Sequence, residues 1–75
     1  MSKKPPVHTV PHGDGWANRR EGASRVSQTF GTKAEAQAAG RQTAKQDRTE
    51  HIIHNKDGQI GRRNSYGNDP YPPRG

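Results

Sequence analysis

Four histidines are the residues with the widest chemical repertoire in this chain of 75 residues. They fall into two pairs, His8 with His12 near the start and His51 with His54 flanking Ile52 and Ile53. A metal site needs imidazoles that converge on one point. In a regular strand, residues three apart point to opposite faces, so His51 and His54 are not expected to share an ion. His8 and His12 share a face only if the strand runs on through Pro11, and proline more often ends or edges a strand. The histidines are therefore expected to be structural, and no metal or other cofactor is expected.

Catalysis has little to work with. A nucleophile needs a neighbouring base and an orienting group inside a cavity, which a chain this short can hardly enclose. Asp14, Asp57 and Asp69 each sit in Gly- or Pro-containing turn sequences, which accounts for them without chemistry. The glycines reproduce neither GxxxxGK[ST] nor a GxGxxG before a helix, so no phosphate loop is expected. The protein is not expected to be an enzyme.

The cations say more. Thirteen Lys and Arg against seven Asp and Glu give a net charge of +6, with a pI near 10.3. Polyanions are the natural partners of such a chain, and DNA or RNA leads that class. Charge also keeps small proteins dispersed without any partner. Two groups are the candidate nucleic-acid contacts. Arg19 and Arg25, together with Ser27 and Thr29, are expected on the outward face of a sheet, where they could meet phosphates or remain simply solvated. Arg41, Lys45 and Arg48 are spaced to line one helix face, where they also complement the C-terminal end of the helix dipole. Trp16 beside Arg19 and Arg20 is read first as a core anchor and second as a base-stacking ring.

The elements that must hold these residues follow from pattern. Val7 to Pro11 is β-prone and stops at His12-Gly13-Asp14-Gly15, a cluster of turn formers. Trp16 to Arg20 can pair back on it, and Arg25 to Phe30 is expected as a third strand, with Val26, Gln28 and Phe30 facing the core. Thr32 and Glu35 fit a capping box that opens a helix at about Lys33 and carries it to about Arg48. Ala36, Ala39, Gly40, Thr43 and Ala44 form its narrow, small-residue stripe. Gly40 lowers helix stability by about 1 kcal/mol relative to Ala, and a close approach to a strand is one compensation. Glu50 to His54 and Gln59 to Arg63, joined through Asn55-Lys56-Asp57-Gly58, form the clearest hairpin.

Composition bounds the whole. Hydrophobic residues are 24% of the chain and mean hydropathy is -1.39, so one thin core is expected, close to the composition of disordered chains. Cysteine is absent, which removes disulfide staples and fits a reducing compartment. The basic start leads into Pro5 and Pro6 instead of an apolar stretch, and the longest aliphatic run is Ile52-Ile53. No export signal or membrane span is therefore expected, and the cytoplasm is the expected location.

His8 to Trp16 as HTVPHGDGW, REGA at Arg20 to Ala23, the helix start at Thr32 to Ala36, IIHNKDGQI at Ile52 to Ile60 and the closing SYGNDPYPPRG span nearly the whole chain. This set resembles the uncharacterised bacterial family catalogued as domain of unknown function 2188. The resemblance implies a compact single-domain bacterial protein, and the family has no established activity to carry onto these positions.

The expected organisation is a flexible segment at 1–6, a single domain at 7–64 and a Gly/Pro-rich tail at 65–75. The fold class is α+β, a small antiparallel sheet in the order β-β-β-α-β-β packed on one helix, with extended termini. The expected function is weak or non-specific nucleic-acid binding through a basic sheet and helix surface. The alternative is a protein-interaction or self-associating module, with a protein partner or homodimer engaged through the proline-rich tail or an exposed strand edge.

Overall fold

The computed structural model describes residues 4–66. Its elements are β1 (Val7–His12), β2 (Gly15–Arg20), β3 (Gln28–Phe30), α1 (Lys33–Asp47), β4 (Glu50–His54) and β5 (Ile60–Ser65). The class is α+β, as expected. One feature of the sheet differs: strand order is β3-β2-β1-β4-β5, and β4 lies parallel to β1 while the other pairs are antiparallel. The sheet is thus mixed, because α1 carries the chain from the edge strand β3 back over the sheet to its centre. Ile52 and Ile53 point to opposite faces, and both are buried, which suits a central strand.

The two hairpins form where turn chemistry placed them. His12 pairs with Gly15 across a two-residue loop in which only Gly13 has positive φ, at 58°, the pattern of a turn with glycine first. In the second turn Gly58 reaches φ 93°, and the Asp57 carboxylate accepts from the Gln59 amide at 3.0 Å. β1 continues through Pro11, against expectation. The β1–β4 ladder covers only Val7 to Thr9, so β1 is an edge by the time proline removes an amide. β3 is shorter than the expected Arg25–Phe30 strand: pairing with β2 covers only Gln28 to Phe30, and Ser27 N already bonds Asn18 O at 2.7 Å. Arg25 and Val26 belong to the preceding connection.

The helix is close to its sequence reading. Thr32 Oγ1 accepts from Glu35 N at 3.2 Å, and Arg48 ends the helix in the left-handed region at φ 54°. Thr49 N then bonds Ala44 O at 3.0 Å, which satisfies a carbonyl of the last turn. Ala36, Gly40 and Ala44 are buried. They recur every fourth residue, so one side of the helix meets the sheet.

The core is small and partly polar. Val7, Ala17, Ala36, Ala44, Ile52 and Ile53 are its buried apolar residues, and Thr9, Asn18, Thr49 and His51 are buried with them. Trp16 is only half-buried, with the Lys33 ammonium 5.2 Å from its ring centroid. It flanks the core and does not anchor it.

Lys4 to Pro6 run beside the sheet and their carbonyls are hydrogen-bonded to it. Lys4 O accepts from Thr49 Oγ1, Pro5 O from Arg20 Nη1 and Pro6 O from Glu21 N. At the other end Ser65 still belongs to β5, and Tyr66 N bonds Thr49 O at 3.2 Å. The rest of the Gly/Pro-rich tail lies outside the described residues. No described helix is long and apolar enough to cross a membrane.

Candidate functional site

Which side chains share a face follows from contacts to the helix. Asn18 Nδ2 donates to Ala36 O at 2.9 Å, and Gly40 packs against Thr9, Asn18 and His51. Those three therefore mark the helix side of the sheet. Alternation sends His8, Val10, Ala17, Arg19, Ile52 and His54 to the other side. Among the described residues, no helix covers that side.

On the helix side lies a buried network. The Thr9 hydroxyl donates to Asn18 Oδ1 at 2.6 Å. With its one proton spent there, Thr9 Oγ1 accepts from His51 Nε2 at 2.7 Å. His51 is thereby held as the Nε2–H tautomer, and its Nδ1 is buried without a hydrogen-bond partner. Burial lowers the His51 pKa from its ordinary value of 6.5, and the charges of Arg41 and His8 lower it further. Protonation would place a charge where no acceptor waits. The ring is a structural member of the core.

On the helix-free side a hollow of about 800 Å³ opens between the Ser24–Val26 stretch and the Lys56–Gly58 turn. Arg19, Arg25, His12, His54 and Lys56 line it. Among the described residues, Arg19 Nε is buried and has no hydrogen-bond partner. Of the carboxylates nearby, Glu21 is with His8 at 3.0 Å and Glu50 with Arg63 at 3.9 Å, while Asp57 itself lines the hollow and accepts from the Gln59 amide of its own turn. Among the described residues, Arg19, Arg25 and Lys56 make no ion pair.

The five candidate cations do not form one surface. Arg19 and Arg25 meet at the hollow, Arg25 by way of its loop and not from a strand. Arg41 and Lys45 are exposed on the helix, which covers the other side of the sheet, and Arg48 has left the helix as its cap. Arg62 and Arg63 split in the same way. Arg63 pairs with Ile52 on the helix-free side and Arg62 with Ile53 on the helix side.

The histidines separate as strand alternation requires, with His51 inward and His54 on the open face. The sequence reading missed what His54 meets. Parallel pairing of β1 and β4 sets its Nε2 2.8 Å from His8 Nδ1, while His8 Nε2 reaches Glu21 Oε1 at 3.0 Å and His54 Nδ1 reaches Gly58 O at 2.9 Å. The missed signal was Ile52-Ile53 itself, since adjacent buried aliphatics place β4 in the centre of the sheet. Among the described residues no group of three or more His, Asp or Glu is arranged to hold a metal ion.

Comparison with known proteins adds a family without a chemistry. An uncharacterised protein of Bacillus subtilis (strain 168), YdaT, is 41% identical over 56 residues. That match takes in 75% of this chain and 37% of the relative, so the chain spans little more than a third of the curated protein it matches. No solved structure matches it. The match of residues 7–66, the whole of the sheet and helix, shows that the chain belongs to the family described as uncharacterized protein conserved in bacteria, DUF2188.

Proposed function

We propose that the helix-free face of the sheet contacts the phosphates of nucleic acid weakly and without base specificity. The observation that carries this reading is the convergence of Arg19, Arg25 and Lys56 on one open hollow, none of them in an ion pair among the described residues. Unpaired cations on an accessible concave face attract a polyanion and release its counterions. The helix cations belong to a different side and contribute to long-range attraction alone. This is a binding role and not a catalytic one, exercised in the cytoplasm.

If Arg19, Arg25 and Lys56 each meet one phosphate, log K should fall against log salt with a slope of about -2.7 on duplex DNA, from about 0.9 counterions per contact. Arg19→Gln with Arg25→Gln should make the slope shallower by about 1.8. Arg41→Gln with Lys45→Gln should leave it nearly unchanged. Fluorescence anisotropy of labelled duplex DNA and single-stranded RNA, titrated at several salt concentrations, measures all three. Absence of binding by the folded wild type at low salt refutes the proposal, and equal slopes for wild type and the Arg19/Arg25 variant remove the hollow from it.

A second reading rests on β5, an outer strand whose residues are nearly all exposed and which begins with Ile60 at 52% exposure. Such an edge can add a strand from a partner or a second copy. Concentration-dependent sedimentation distinguishes self-association from the nucleic-acid role.

A further inference from the structure

The row Glu21–His8–His54–Gly58 contains three hydrogen bonds between two acceptor-only ends. Glu21 Oε1 is 3.0 Å from His8 Nε2, His8 Nδ1 is 2.8 Å from His54 Nε2, and His54 Nδ1 is 2.9 Å from Gly58 O. A carboxylate and a carbonyl supply no proton, so His8 Nε2 and His54 Nδ1 must both carry one. The central contact joins two ring nitrogens and needs one more. Keeping all three bonds therefore needs three protons on four ring nitrogens, one more than two neutral imidazoles hold. With two protons one of the three bonds has no hydrogen, and with four the central nitrogens oppose N–H to N–H across rings whose centroids are 5.1 Å apart.

We propose that His8 and His54 form a proton-sharing pair with a single positive charge, and that this proton fastens two loops across the open face of the sheet. One loop is the connection that starts at Glu21. The other is the β4–β5 turn that presents Gly58. The central proton sits on His8 Nδ1 or His54 Nε2 with all three bonds kept in either state, so both rings share the charge. Glu21 favours that charge. Arg19, which pairs with His8 from β2, opposes it, as do Arg25 and Lys56 from the two loops. His12 lies farther along β1 on the same face. Glu50 and Arg63 from β4 and β5 are occupied with each other. His51 lies on the helix side of β4 and is kept neutral by burial. When the shared proton leaves, one bond of the row must break, the loops lose a tie, and the hollow loses one unit of charge because His54 lines it. The device does not depend on what the hollow binds.

The test is a titration of the full chain with histidine ring nitrogens labelled with ¹⁵N, from about pH 5 to about pH 9, a range that brackets imidazole titration. The expected result is one step that removes one proton from the pair. It should be seen at the same pH by both rings and by the Glu21 and Gly58 amides. His54→Gln should remove the joint step and displace the His8 step, because the two rings no longer share a proton. Glu21→Gln keeps an acceptor oxygen but removes its charge, and should move the joint step to lower pH. Two separate wild-type steps, a step seen by one ring alone, or a His8 step unmoved by His54→Gln would overturn the proposal. The wild-type arm needs no variant to fold.

Discussion

Replacing Gly40 with alanine sets helix propensity against tertiary packing, and the two arguments predict opposite signs. In an exposed helix interior the change adds about 1 kcal/mol of stability. Here a Cβ would lie 2.6 Å from His51 Nε2, 2.9 Å from Thr9 Oγ1 and 3.0 Å from Asn18 Oδ1. All three atoms belong to the buried network, and none is the end of a long, flexible side chain. Overpacking of this kind costs about 1–3 kcal/mol, and a network bond broken to make room costs about 1–3 kcal/mol more. Set against the gain in propensity, the balance is a net loss of about 3 kcal/mol, most of the roughly 3–5 kcal/mol a core this size supplies. At about 4–8 °C per kcal/mol for a domain of this length, Tm should fall by roughly 12–24 °C. Urea and thermal unfolding followed by Trp16 fluorescence measure it. Ala38→Gly, at an exposed position of the same helix, should cost about 1 kcal/mol and calibrates the propensity term. A Gly40→Ala protein as stable as the wild type, or more so, would refute the account of the helix–sheet contact.

His51 has a depressed pKa in the folded state, so the unfolded chain binds more protons in the interval below 6.5. Its contribution to stability should be complete above that value and decline as pH falls through it; urea midpoints measured across the interval should show the decline, reduced in His51→Gln. Asp47 follows the same sign at lower pH. Its hydrogen bond to Arg20, chiefly, and the charges of Arg20 and Lys4 hold its carboxyl below the ordinary value of 3.8, so its stabilisation is present above that value and lost as pH falls further. Asp47→Asn should lower the urea midpoint at neutral pH and flatten its acid dependence. Thr32→Ala removes the acceptor for Glu35 N and should cost about 1 kcal/mol in the same unfolding assay.

Local order was legible in the residues, because turn chemistry and capping act over a few positions. Asp57-Gly58 and Gly13-Asp14 place the hairpins, Thr32 opens the helix, and the stripe of Ala36, Gly40 and Ala44 is the face that becomes buried. Alternation alone separates His51 from His54. It also puts Arg19 opposite Trp16 in orientation, so half of the candidate site was readable from β2. What alternation cannot express is which strand lies beside which. The parallel placement of β4 against β1 joins residues far apart in the chain, and it alone brings His8 to His54 and Thr9 to His51. It also explains why Gly40 is required: the polar network it must clear exists only once β1, β2 and β4 are side by side. The same placement divides the cations, since a helix folded over one side of the sheet sends Arg41 and Lys45 to the face that Arg19 and Arg25 do not occupy. Sequence by itself determined the elements, their turns and the amphipathic faces, which depend on neighbours a few residues away. Tertiary structure decided strand order, the shared histidine row and the grouping of charge, because these depend on contacts that only chain closure creates.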